Sequence, residues 1–148
     1  MEIRRFDGDD ERRFRDAMAI RRAVFIEEQG VPEDREIDGK DSESRHVVAY
    51  ESDEPIGTGR LRAYTNVRKS DTAKVERVAV SADRRGDGVG RELMRALEGI
   101  AVSEGYETIV LYAQRQVIPF YRALGYEPYD DEFEDAGIPH RKMRKALA

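Results

Sequence analysis

The run Val75-Glu76-Arg77-Val78-Ala79-Val80 constrains this chain more than any other feature, because it leads into a glycine-rich segment. Ser81-Ala82-Asp83-Arg84 comes next, then Arg85-Gly86-Asp87-Gly88-Val89-Gly90-Arg91-Glu92-Leu93-Met94. The order reads as a strand, a short turn, a glycine-rich basic loop and the start of a helix. A helix begins with N–H groups that have no intrahelical partner, and its dipole is positive there. Small residues in front of such an end let a phosphate approach the backbone closely. The expectation is a phosphorylated ligand.

Two familiar phosphate loops do not fit. A Walker loop ends in Gly-Lys-[Ser/Thr], whereas Gly90 is followed by Arg91 and Glu92. A dinucleotide fingerprint needs Gly-x-Gly-x-x-Gly and an acid at the end of the next strand. Here the spacing is Gly-x-Gly-x-Gly, and the next predicted strand ends in Ala113-Gln114.

At 148 residues the chain suits one domain, 1–148, with a single core. It is 39% hydrophobic and 39% charged, which describes a globular protein with a heavily charged surface. The net charge of -5, with no basic stripe carrying interleaved aromatics, disfavours nucleic acid as a partner. No apolar run approaches the roughly 20 residues of a membrane span, and no signal-peptide pattern opens the sequence. With no cysteine, disulfides, thiolate metal sites and a Cys nucleophile are excluded, and no metal site is expected. These features together predict a cytoplasmic location.

Periodicity supplies the elements. Ile3 to Phe6 reads as a strand, and Asp9 or Asp10 as the cap of a helix running to about Phe25. Glu27 to Asp41, with Gly30, Pro32 and many acids, reads as a loop or broken helix. His46 to Tyr50 and Ile56 to Tyr64 suggest a hairpin, and Lys74 to Val80 a further strand. Val89, Leu93, Leu97, Ile100 and Ala101 form a helical stripe ending near Gly105. Thr108 to Ala113 is a continuous apolar strand, expected to be covered on both faces. Ile118 to Leu124 predicts a short helix, and the tail two strands around an acidic loop, Asp130 to Asp135. The result is a mixed sheet with helices on its faces.

The loop Arg85-Gly86-Asp87-Gly88-Val89-Gly90 resembles the coenzyme A pyrophosphate loop of the GNAT superfamily of N-acetyltransferases. Phe120-Tyr121-Arg122-Ala123-Leu124-Gly125-Tyr126 is similar to that family's second signature. Glu28-Gln29-Gly30, His46, Ala113-Gln114 and Gly137-Ile138-Pro139-His140 resemble its ElaA-like branch. The match runs from about Ala23 to Met143. It implies a GNAT fold: a mixed, mostly antiparallel twisted α/β sheet of about six to seven strands, flanked by about four helices. It also implies acetyl-coenzyme A as cofactor.

By that resemblance the pyrophosphate would lie on backbone N–H groups of Gly86, Asp87, Gly88, Val89, Gly90 and Arg91, with Arg85 adding charge. A Cβ at Gly88 or Gly90 is expected to block that approach. The other reading is a strand-to-helix turn that needs glycine for its geometry alone. Pantetheine carries two amides and would pair with the backbone of Val78, Ala79 and Val80, as a strand does with a sheet edge. Tyr121, a phenol of pKa about 10, is the general-acid candidate for a leaving thiolate. The general base is open between Glu76, His46 and His140. Each also has a plain structural role, as a solvated strand charge or a hydrogen-bonded core histidine. Gln114 reaches the cleft or caps the helix after it. Glu28 and Gln29 line the acceptor pocket or end the first helix.

The implied activity is acetyl transfer to a primary amine of a small molecule or peptide, by direct attack, since no Cys or nucleophile-elbow Ser is present. A polyamine, an aminosugar and a peptide amine stay equally open as acceptor. The acidic stretches 27–38 and 130–135 would steer a cationic amine if they border the cleft, and otherwise serve solubility. Two rival readings are a noncatalytic acyl-coenzyme A sensor and a protein-interaction domain with a structural glycine loop. Exposed sheet edges leave a homodimer open.

Overall fold

The computed structural model describes residues 1–64 and 71–147. Seven strands form one sheet in the order β1-β2-β3-β4-β5-β7-β6. They are β1 Glu2–Asp7, β2 Arg45–Glu51, β3 Glu54–Ala63, β4 Thr72–Val80, β5 Thr108–Gln114, β6 Glu127–Asp135 and β7 Ile138–Ala146. All neighbours are antiparallel except β4 and β5. The helices are α1 Glu11–Arg21, α2 Glu33–Glu36, α3 Val89–Ser103 and α4 Ile118–Ala123.

The stripe on α3 does what its spacing predicts. Val89, Leu93, Met94, Leu97, Ile100 and Ala101 are buried and pack on Val47, Leu61, Val75, Ile109, Leu111 and Met143 from five strands. Truncating one of these leucines to Ala would cost about 2–5 kcal/mol. The opposite sheet face is covered over β2, β3 and β4 by α1, whose start is capped by Asp10 accepting from the Arg13 N–H at 3.1 Å. Ile20 and Val24 there meet Ala79. Past Arg21 the first helix does not stop but widens into a π-helical stretch, Arg22–Glu28. Such stretches are rare and often mark functional positions.

One local expectation changes. The segment Asp130 to Asp135 is strand β6 rather than a loop, and the tight turn falls at Ala136-Gly137. Alternation of Phe133 inward with acids outward lets a charged run remain a strand. As expected, β5 is covered on its second face too, by Tyr64, Phe133 and Lys74 around Tyr112. Of the two readings of Glu27 to Asp41, the broken helix holds: the π-helical stretch ends at Glu28, and α2 and a short 3-10 turn, Asp41–Glu43, follow. Among the described residues no helix is long and apolar enough to cross a membrane.

One irregularity in the sheet shapes the cleft. Thr58 pairs with Ala79 but Arg60 with Glu76, so β4 holds one extra residue opposite Gly59. This bulge contains Arg77 with φ of 58°. A bulge bends its strand and increases the twist. On the other side, β4 and β5 pair only from Thr72↔Thr108 to Val75↔Leu111. Beyond Val75 the two parallel strands part.

Candidate active site

The parting of β4 and β5 leaves strand edge without a strand beside it in the middle of a sheet. Val78, Ala79 and Val80 lie on that free stretch of β4, and Gln114 ends β5 on the other lip. Val78 and Val80 pack against the core on the α3 side, while Ala79 faces α1. Apart from the Val80 carbonyl, which accepts from Arg85, this backbone edge has no strand beside it and is open to an extended, amide-bearing ligand.

Directly after β4, the loop Arg85 to Gly88 leads into α3. Gly88 stands at the N-cap with φ of 84°, and no side chain caps the helix. The first-turn N–H groups are therefore free for an anion. A Cβ on Gly88 would meet open space, so glycine is required by the left-handed backbone and not by contact. Gly90 differs. A Cβ there would lie 3.1 Å from the Phe120 ring, so this glycine seats α3 against α4. Gly86, Asp87 and Arg91 are exposed along the loop, and the Val89 side chain is core. The Arg85 guanidinium donates to both Glu28 oxygens, at 2.7 and 2.8 Å, and its Nε to the Val80 carbonyl at 3.1 Å. The donor set fits a pyrophosphate with an extended amide chain attached.

Tyr121, on α4, is 8% exposed and sits edge-on to Phe120 and Tyr126. Burial pushes its phenol above the usual tyrosine value, so it stays protonated at neutral pH. Its hydroxyl makes no hydrogen bond with another described residue. It is a proton donor with no acceptor among the described residues.

The three base candidates separate clearly. Burial would raise the Glu76 carboxyl, but the hydrogen bond from Arg62 and the charges of Arg60 and Lys74 hold it down, at about 2. Arg60 Nη2 is 2.9 Å and Lys74 Nζ 3.0 Å from its oxygens. So weak a base takes no proton from an amine at neutral pH, and Glu76 is a structural counter-ion. His46 is 1% exposed, stacked on Phe6, with Nε2 3.0 Å from the Asp41 carbonyl. Burial lowers its pKa, and it is locked in the core away from the cleft. His140 Nδ1 lies 2.7 Å from the Ile138 carbonyl, which requires a proton on Nδ1 and leaves the Nε2 lone pair open in the neutral ring. Phe133 stacks on the ring at 5.8 Å.

His140 lines a cavity of about 100 Å³ with Phe25, Gln29, Arg77, Gln114 and Ile138. Gln114 Nε2 donates to Gln29 Oε1 at 2.8 Å across the cleft and does not cap the turn that follows it. Gln29 thus lines the cavity, whereas Glu28 turns to Arg85.

The acidic stretch behind this cavity is consumed by arginine. Glu36, 1% exposed, takes Arg21 Nε at 2.8 Å and Arg77 Nε at 3.1 Å. Asp38 binds Arg60 and Arg77, and Asp41 binds Arg21 and Arg60. Glu33 pairs with Arg22, Asp135 with Arg35 and Glu132 with Arg115. The two acids of these stretches that line the cavity, Glu36 and Asp135, are thus both engaged by arginine. The function of Glu36, Asp38 and Asp41 is to fasten α2 and its flanks to β3 and β4, where they form the cavity wall.

Arg77 was not among the residues singled out from the sequence, although a signal exists. Small apolar residues occupy Ala73 and Val75, then Val78 and Val80, and that one-step change of phase marks the bulge. Arg21 and Arg60 carried no comparable signal, because their carboxylate partners are remote in sequence.

Comparison with known proteins agrees with this geometry. Residues 16–147 match the family described as "Acetyltransferase (GNAT) domain". The uncharacterized N-acetyltransferase YjcF of Bacillus subtilis is 42% identical over 137 residues, covering 92% of this chain and 94% of its own. Escherichia coli ElaA is 34% identical over 88% of this chain and 85% of its own. The ElaA crystal structure superposes with a TM-score of 0.85 at 26% identity, covering 97% and 98% of the two chains. An acyl-CoA N-acyltransferase from Pseudomonas aeruginosa gives 0.84 at 26% identity, covering 99% and 100%. Acetyl-coenzyme A is the family's co-substrate. With the split sheet, the glycine loop and nearly the full length matched, the chain belongs to the GNAT family of acetyltransferases.

Proposed function

We propose that the chain transfers an acetyl group from acetyl-coenzyme A directly to a primary amine of a small molecule or peptide. The observation that carries this is the split after Val75, with an anion-ready loop on one side and the His140 cavity on the other. Acetyl-coenzyme A supplies the acetyl group as a thioester. Arg85 and the backbone from Gly86 to Arg91 hold its pyrophosphate, and the free edge at Val78 to Val80 aligns its pantetheine arm.

His140 Nε2 takes the proton that the amine sheds as its C–N bond forms. Tyr121 gives a proton to the sulfur as the C–S bond breaks. A thiol of pKa about 8.5 and an amine of about 10.4 both gain from such help at neutral pH. Gln29 and Gln114 orient the amine through their side-chain amides.

The test follows thiol release from acetyl-coenzyme A with a panel of amines, for wild type and His140→Gln. Amine-dependent release, lost in the variant with acetyl-coenzyme A binding intact, is the expected result. Release that is unchanged by His140→Gln would remove the base assignment. No release with any amine would remove the transfer reading.

A further inference from the structure

The ion cluster behind the cavity is unbalanced. Among the described residues, Arg21, Arg60, Arg62, Lys74 and Arg77 interlock with Glu36, Asp38, Asp41 and Glu76, five cations against four carboxylates. A surplus charge in a largely buried cluster is costly unless a counter-ion reaches it. Its members facing the cavity are Glu36 and Arg77, and the wall also carries the Arg35–Asp135 pair.

Of the cluster's cations, Arg77 is the one that lines the cavity, and it has donor capacity left. Its Nε and Nη2 donate to the carbonyls of Arg35 and Glu36 and to Asp38, at 3.0–3.3 Å, while Nη1 has no partner among the described residues. Burial and the neighbouring Arg60 lower its pKa, whereas Arg21, Arg60 and Arg62 are raised by their carboxylates. Its backbone is left-handed within a strand, a sparsely populated conformation that persists mainly at functional positions. The bulge sets this side chain into the cavity that His140 and Gln114 also line.

We infer that Arg77 receives a carboxylate of the acceptor, so that the amine acetylated is that of an amino acid or a similar small amino carboxylic acid. This rests on the acetyl-transfer reading above. A free Nη1–H on a guanidinium at the cavity wall suits a carboxylate, which a polyamine or an aminosugar does not carry. The small cavity takes the amine-and-carboxylate end of the molecule, with the amine at His140 and the carboxylate at Arg77.

Thiol release is compared for α-amino acids, the same amino acids as carboxamides, and spermidine, beside acetyl-coenzyme A affinity by calorimetry. Amino acids are expected to exceed their carboxamides in kcat/KM by roughly 10- to 100-fold, the worth of one charge-assisted hydrogen bond. Arg77→Gln is expected to raise KM for the amino acid by a similar factor. KM for the carboxamide and the affinity for acetyl-coenzyme A stay unchanged, and Arg77→Lys restores part of the loss. Equal or better use of carboxamides or spermidine by wild type overturns the inference, and that comparison decides even if Arg77→Gln does not fold. Acetyl-coenzyme A binding without turnover of any amino acid overturns it too. Failure to bind acetyl-coenzyme A overturns the transfer reading itself.

Discussion

Glu28 holds Arg85 with both carboxylate oxygens, at 2.7 and 2.8 Å, and the next residue, Gln29, accepts from Gln114 at 2.8 Å. The end of the π-helical stretch therefore ties together the two lips of the split sheet, the loop after β4 and the end of β5. The Glu28 carboxylate occupies the guanidinium that the pyrophosphate would use. Hydrogen bonding to Arg85 lowers the Glu28 pKa, so the pair is charged at neutral pH. Both side chains are more than two-fifths exposed, so the pair adds at most about 1 kcal/mol of stability. Glu28→Gln is expected to leave the melting temperature nearly unchanged and to tighten acetyl-coenzyme A binding by up to about fivefold. Calorimetry reads both Kd values, and weaker binding in the variant would contradict the competition.

Tyr121→Phe removes a hydroxyl that no described residue uses. Stability should be unchanged, and acetyl-coenzyme A affinity also. kcat should fall by about 10²- to 10⁴-fold, the usual worth of a positioned acid. A variant as fast as wild type would remove Tyr121 from the chemistry.

Glu76 makes a prediction about acid, with no base role. Its pKa falls from 4.5 to about 2 on folding. A depressed carboxyl stabilises the fold fully above its unfolded pKa and loses that contribution as pH drops through the folded one. Glu76 thus supports on the order of 3 kcal/mol that disappears between about pH 5 and pH 2. Glu76→Gln should lower stability at neutral pH and flatten the acid limb of a denaturation-midpoint profile. An unchanged limb would show that the carboxylate is not held by Arg60, Arg62 and Lys74.

The two histidines should part company. His46→Gln is expected to cost stability through the lost bond to the Asp41 carbonyl and the stacking on Phe6, with kcat per folded molecule preserved. Since burial lowers the His46 pKa, its contribution is present above about pH 6.5, the unfolded value, and declines as pH falls. His140→Gln should leave stability nearly intact and depress kcat/KM. Chemical denaturation and thiol-release rates, measured on both variants, distinguish the pair.

Much of the fold was legible because local patterns and tertiary packing agree. The α3 stripe, the Asp10 cap and the glycine loop each specify their own geometry. Strand β6 was obscured by its own charge, since Asp130 to Asp135 carries turn-like composition while Phe133 supplies the only inward anchor. The cofactor side of the site could be placed from Arg85 to Arg91 because its donors are consecutive. The acceptor side could not, since Arg21, Arg60 and Arg77 meet Glu36, Asp38 and Asp41 only through the sheet. Composition shows acids there, but whether they attract a ligand or balance buried arginines is a matter of three-dimensional pairing.

Titration of the purified protein with acetyl-coenzyme A, followed by calorimetry, tests the central claim most directly. Saturable binding at one site with micromolar Kd, weakened by Arg85→Ala, is the result predicted from the split sheet and the uncapped α3. No heat at millimolar ligand would contradict it and leave the glycine loop as a turn between β4 and α3.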